Sequence, residues 1–156
     1  MDQPMAYLIT WTTYGSWLPG DARGSFDVEG NYIPPNEELQ ANARALMTED
    51  EVTLTPQQRE IVEKIIEKHC AIRSWPLHAR NARTNHVHVV VSASIDGEEV
   101  REQLKTWCSR ALSEHAGLKP AKDKNGARRW WTEKGNVEPI WTDRHLDAAA
   151  RYTNEQ

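Results

Sequence analysis

Cysteine is scarce in this 156-residue chain: Cys70 and Cys108 are the only two, and neither belongs to a CxxC pair. A disulfide scaffold and a cysteine-based zinc site are therefore unsupported, and both thiols read as small buried residues. No apolar run approaches the roughly 20 residues that a membrane span needs. The N-terminus also lacks the basic-then-apolar layout of a signal peptide, so a soluble, cytoplasmic protein is the expectation. A P-loop of the form GxxxxGK[ST] is missing, which argues against ATP-driven chemistry. Phenylalanine occurs once, against seven tryptophans, a bias that a core built for volume does not require.

Basic charge is also in short supply overall, with a net charge of -4. That average conceals position. Residues 1–70 hold 5 Lys/Arg against 12 Asp/Glu, whereas residues 71–135 hold 12 against 7. The middle of the chain is therefore a basic segment of the kind that tracks a phosphate backbone.

The length and the 38% hydrophobic content suit one domain spanning 1–156. Ala6–Tyr14 is β-branched and aromatic and reads as a strand. Residues 15–54 are dominated at first by turn formers, including Pro19-Gly20, Gly24, Gly30 and Pro34-Pro35, and read as an insertion with a short helix over Glu37–Met47. Thr55-Pro56 supplies a cap and a first-turn proline for a helix to about Cys70 or Ile72. Two strands follow, Leu77–Arg83 and His86–Ala93, joined by a tight turn at Thr84-Asn85. A helix after Gly97 runs to about Ala116, with Val100, Leu104, Trp107, Cys108, Ala111 and Leu112 at three- and four-residue steps. Arg128–Thr132 and Val137–Thr142 read as edge strands, and Asp143 as the N-cap of a last helix. Without the insertion the order is βαββαβ plus a C-terminal helix, an α+β ferredoxin-like split-βαβ pattern with an antiparallel sheet. Trp11, Trp107 and Trp141 are expected in its core.

His86 and His88 are two residues apart in a strand, so both side chains point to one face while Val87 points to the other. Such a pair is able to share a metal ion, or to be merely two polar residues on an exposed face. Tyr152 and Gln156, four apart on a helix, form a second neighbouring pair that carries little meaning alone.

Together these residues resemble the single-tyrosine HUH transposases, where U is a hydrophobic residue: the small insertion-sequence transposases and the REP-associated tyrosine transposases. The likeness covers AYLITWTTYGSWLPGDARG, NHVHVVV, RWWTEKGN and IWTDRHLDAAARYTNEQ. It implies that Tyr152 is the nucleophile and that His86, His88 and Gln156 hold a divalent metal, Mg²⁺ or Mn²⁺. It further implies cleavage and rejoining of single-stranded DNA near a hairpin, through a 5′-phosphotyrosine link. A homodimer that exchanges the tyrosine helix and a monomer both occur in the family. Relatives generally continue past the matching glutamine, so a longer native chain is one expectation and an unusually early end is the other.

For DNA contacts the candidates are Arg80, Arg83, Lys122, Lys124, Arg128 and Arg129, which would follow the phosphate backbone, and Trp130 and Trp131, which would stack on bases. Asn85 suits either orientation of the histidine pair or the turn itself. The main alternative is a ferredoxin-like nucleic-acid-binding module that no longer cuts. A replication initiator or relaxase fits the residue order less well, and a hydrolase of small phosphoesters leaves Tyr152 unexplained.

Overall fold

The computed structural model describes residues 3–27, 29–47, 50–118 and 129–156. Along the chain run β1 (Ala6–Thr12), β2 (Ser25–Phe26), β3 (Tyr32–Ile33), α1 (Glu37–Ala45), α2 (Pro56–Arg73), β4 (Leu77–Ala82), β5 (His86–Val91), α3 (Gly97–His115), β6 (Asn136–Ile140) and α4 (Asp143–Asn154). The main sheet has the order β4-β5-β1-β6, with every neighbouring pair antiparallel. The chain leaves β1, passes through α2 to β4 at the far edge, and returns through β5 into the gap. This is the split-βαβ arrangement that the order of elements predicts.

Alternation along β1 and β5 sends Ile9, Trp11, Val87, Val89 and Val91 to one face, where Val62, Ile66 and Cys70 of α2 meet Val100, Leu104, Cys108 and Leu112 of α3. Fully burying an aliphatic side chain of this size contributes about 1.5–3 kcal/mol, so this layer dominates the stability. Local signals set the helix limits. Thr55 and Gln58 form a reciprocal capping box with Pro56 in the first turn of α2, and Ser74 ends that helix in the left-handed region. The other face carries Ala6, Leu8, Ala79, Val90 and Ile140, against which α4 lays Leu146, Ala149 and Ala150. Its alanines let the helix backbone approach the sheet closely.

The insertion is more structured than a loop: β2 and β3 pair as a small hairpin. α1 begins at an Asn36 cap and contains no buried residue. Among the described residues no helix is long and apolar enough to cross a membrane.

Three local expectations need correction. Of the strand expected over Arg128–Thr132, Arg128 lies outside the described residues, and residues 129–132 make an isolated bridge between Thr13 and Trp131, with Trp131 turned inward onto Trp11. Thr142, not Asp143, caps α4, its hydroxyl accepting from the His145 amide at 3.1 Å. Asp143 instead occupies the first turn, where its negative charge suits the helix dipole. Trp107 and Trp141 are 43% and 52% exposed. Leu104 and Cys108 already fill the buried stripe of α3, which leaves Trp107 at its margin under the Arg110 guanidinium.

Candidate active site

The pairing of β1 with β5 sets Thr10 opposite His88 and Thr12 opposite His86. One end of the face under α4 is thereby polar, beginning where the apolar run Ala6, Leu8 and Val90 stops. The two imidazole rings stand 4.7 Å apart, centroid to centroid, at 77°. Each has its Nδ1 engaged: His86 with Asn85 Oδ1 at 2.8 Å, and His88 with the Thr10 hydroxyl at 3.0 Å. An amide oxygen only accepts, so His86 donates from Nδ1 and keeps the lone pair on Nε2. Because the Thr10 hydroxyl accepts as well as donates, His88 is able to adopt the same tautomer.

Burial, reinforced by the neighbouring His86, pulls His88 down to about 4. His86 is lowered too, by burial first and then by the nearby charges of Arg83 and Arg23. Both rings are therefore neutral at physiological pH, the form that ligates a metal. Two neutral imidazoles on one sheet face suit a divalent ion as donors.

α4 brings Tyr152 over this pair, its ring 5.5 Å from that of His88 and nearly perpendicular to it. Tyr152 is 50% exposed, so the residue meets His88 on one side and solvent on the other. The end of the helix is tied to the sheet by Asn81, the register partner of His88 on β4. Its Nδ2 donates to the backbone carbonyls of Thr153 at 2.9 Å and Gln156 at 3.2 Å. The Gln156 side-chain amide donates to the Tyr152 carbonyl at 3.2 Å, which leaves its side-chain oxygen as the acceptor it offers.

The structure thus brings His86, His88 and Tyr152 together; Gln156, expected on the same helix, lies past its end, because α4 stops at Asn154 with Glu155 as its C-cap. The other candidates divide. Arg83 is exposed beside the pair, its backbone amide bonded to the His86 carbonyl at 2.8 Å. Arg80 points to the opposite face and is ion-paired with Glu63 at 3.2 Å and with Glu67, both on α2. Its place in the strand, one residue out of phase with Asn81, accounts for that direction. Trp130 is 5% exposed and donates its indole N–H to the Ser113 hydroxyl at 2.8 Å, so it is a core residue without a face for a base. Trp131 is half-buried, edge-on to Trp11, with its N–H bonded to the Lys105 carbonyl at 3.0 Å. Arg129 is exposed, while Lys122, Lys124 and Arg128 lie outside the described residues. His145 lies 3.6 Å from the Glu138 carboxylate.

Sequence reasoning missed Thr10 and Asn81. Strand alternation from Ala6 and Leu8 was a usable signal for Thr10. Asn81 had none, because its role depends on which strand neighbours β5.

No protein-family model matches the chain, and no curated protein does. Among solved structures, the chain is similar to a REP-associated tyrosine transposase bound to a REP hairpin, with a TM-score of 0.53 and 11% identity over 97% of this chain. The chain spans 66% of that protein's length. A Deinococcus radiodurans R1 chain provisionally assigned as a transposase aligns with a TM-score of 0.49 and 12% identity, over 100% of this chain and 93% of its own. At this identity the first likeness establishes a shared fold.

Proposed function

We propose that this protein is a single-tyrosine transposase or endonuclease of the HUH type, cutting and rejoining single-stranded DNA beside a hairpin. The observation that carries the reading is the Tyr152 ring set against His88 on the sheet face that also holds His86. Fold likeness to a transposase bound to a REP hairpin supports the substrate class.

His86 and His88 would hold a divalent ion, Mg²⁺ or Mn²⁺, with the Gln156 side-chain oxygen as third donor. Such an ion supplies positive charge where charge develops on the phosphate, the phenol and the leaving oxygen. The remaining work belongs to the chain. Thr10 and Asn85 fix the imidazoles through Nδ1, so that both Nε2 atoms are the free donors. Asn81 anchors the end of α4 and with it the height of Tyr152 above the sheet. The Tyr152 oxygen, losing its proton, attacks the phosphorus. The bond from phosphorus to the 3′ oxygen breaks, and that oxygen takes up a proton. The 5′ side stays on Tyr152 as a phosphodiester, so the bond energy is conserved. A 3′-hydroxyl from a second strand reverses the step and joins new ends without ATP. Arg83, exposed beside His86, is placed to meet the strand's phosphates. Because one chain sets Tyr152 against its own His88, the reading does not need a second copy.

The test incubates the protein and Mn²⁺ with end-labelled hairpins that carry varied single-stranded flanks. A denaturant-resistant protein–DNA adduct is expected, and Tyr152→Phe should abolish it while DNA binding persists. An adduct that survives Tyr152→Phe would overturn the assignment. So would His86→Ala losing Mn²⁺ binding while nicking continues unchanged. Binding without any adduct would favour the non-cutting module.

A further inference from the structure

The segment 15–24 leaves β1 at the histidine end of the sheet. The Thr13 amide and the Ser16 hydroxyl both reach the carbonyl of Asn85, at 2.9 and 3.5 Å, and Asn85 is the residue whose side chain holds His86. Next to Ser16 stands Trp17, which is 40% exposed and contributes nothing to either core layer. Its indole N–H is fixed to the Gly24 carbonyl at 2.6 Å, and the Arg23 guanidinium lies over its ring at 4.3 Å.

Arg23 is itself held in a fork. Its Nε and Nη2 donate to the two carboxylate oxygens of Asp21, each at 2.8 Å, and Nη2 also reaches the Ser16 carbonyl at 3.0 Å. Asp21 is buried, whereas the Arg23 side chain is 50% exposed. The loop is clamped from behind. A Cβ on Gly20 would lie 2.3 Å from the Asn36 carbonyl at the start of α1, and one on Gly24 would lie 2.6 Å from the Tyr32 ring of the hairpin. Both glycines have positive φ, so neither close approach admits a side chain. An exposed indole and an exposed guanidinium are thus fixed in advance at the edge of the site. Ordering them costs conformational entropy that the core layers do not repay.

We propose that Trp17 and Arg23 form a subsite for one unpaired nucleotide flanking the bond cut at Tyr152, with Trp17 stacking on the base and Arg23 contacting the adjoining phosphate. This rests on the reading of the protein as a single-stranded DNA nuclease. Stacking suits an indole because every base has an aromatic face, and a guanidinium is suited to phosphate. Asp21 is a positioning residue: its fork orients Arg23 and offsets part of its charge, so Arg23 contributes direction more than bulk attraction. The hairpin and α1, remote from the core, then serve as the buttress of this loop.

The test uses the full chain with Tyr152→Phe, so that binding is read without cleavage. The probes are a fluorescein-labelled hairpin with single-stranded flanks, the same stem without flanks, and a series with one abasic site moved along the flanks. Trp17→Ala should weaken the flanked hairpin about tenfold and leave the blunt stem unchanged, while Trp17→Phe keeps most of the affinity. One abasic position should cause the same loss with the native loop and no further loss with Trp17→Ala. Arg23→Gln should reduce the salt slope of binding by about one. Equal losses on flanked and blunt probes, or additive losses at every abasic position, would overturn the subsite. The abasic series on the native loop keeps the test decisive even if Trp17→Ala disturbs folding. If the native loop binds neither hairpin, the broader functional reading fails, and the subsite with it.

Discussion

Val87, Val89 and Val91 project from one side of β5, and His86, His88 and Val90 from the other. The valine side is sealed by two long helices and continues into a wide apolar layer. Among the described residues, the helix covering the histidine side is α4, whose buried residues are Ala149 and Thr153. A single pleated strand therefore belongs to two environments that differ in depth, polarity and cover. Stability is concentrated on one side and, on the proposed reading, chemistry on the other, so substitutions on the two sides should separate in their effects.

The largest expected effect is on the sealed side. Leu104→Ala should cost about 2–5 kcal/mol in chemical denaturation, from lost transfer energy and the cavity left behind, with Mn²⁺ affinity of the folded fraction unchanged. Thr10→Val should do the reverse. It removes the hydroxyl from His88 Nδ1 and should weaken Mn²⁺ binding about 10–100-fold by calorimetry, while the denaturation midpoint moves little. If the two variants change the same observable, the two faces are not independent.

Of the two faces, it is the histidine side on which acid between about pH 6.5 and 4 should act. His88 sits at about 4 in the folded protein against an ordinary 6.5, so the unfolded chain takes up its proton first as the pH falls. The contribution is complete above about 6.5 and is lost progressively as the pH falls toward 4. Metal-free protein should therefore destabilise through that window more steeply than His88→Asn, by a difference approaching one proton in the pH dependence of unfolding. The smallest effect concerns α4. Thr153 is fully buried and its hydroxyl has no partner among the described residues. Thr153→Val should be neutral or stabilising by up to about 1 kcal/mol in thermal melts, because the unpaired hydroxyl is removed.

The contrast between the faces was partly legible in the residues alone. Two-residue spacing placed His86 and His88 together, and the near-continuous valine run marked a covered strand. The order of elements was enough for the sheet topology. Tyr152 was legible as a residue of the last helix, but nothing in the spacing showed which part of the sheet α4 would cover, or that it would end at Asn154, before Gln156. Thr10 escaped because its contact with His88 spans 78 positions and depends on strand register. The tryptophans were misassigned in part for a similar reason: composition announces an excess without saying which rings the packing encloses. The Asp21–Arg23 fork and its stacked Trp17 lie in a stretch without periodicity, where only three-dimensional contacts reveal order.

α4 rests on the sheet through one leucine and two alanines, and its end is tied down by Asn81. Such a seat implies two tiers of opening. Amides in β5 should exchange with solvent only when the whole molecule unfolds, whereas those of α4 should exchange through detachment of that helix alone. On the proposed reading, Tyr152 would then ride on a helix able to detach, free to carry a DNA end away from the sheet while the histidines stay where they are.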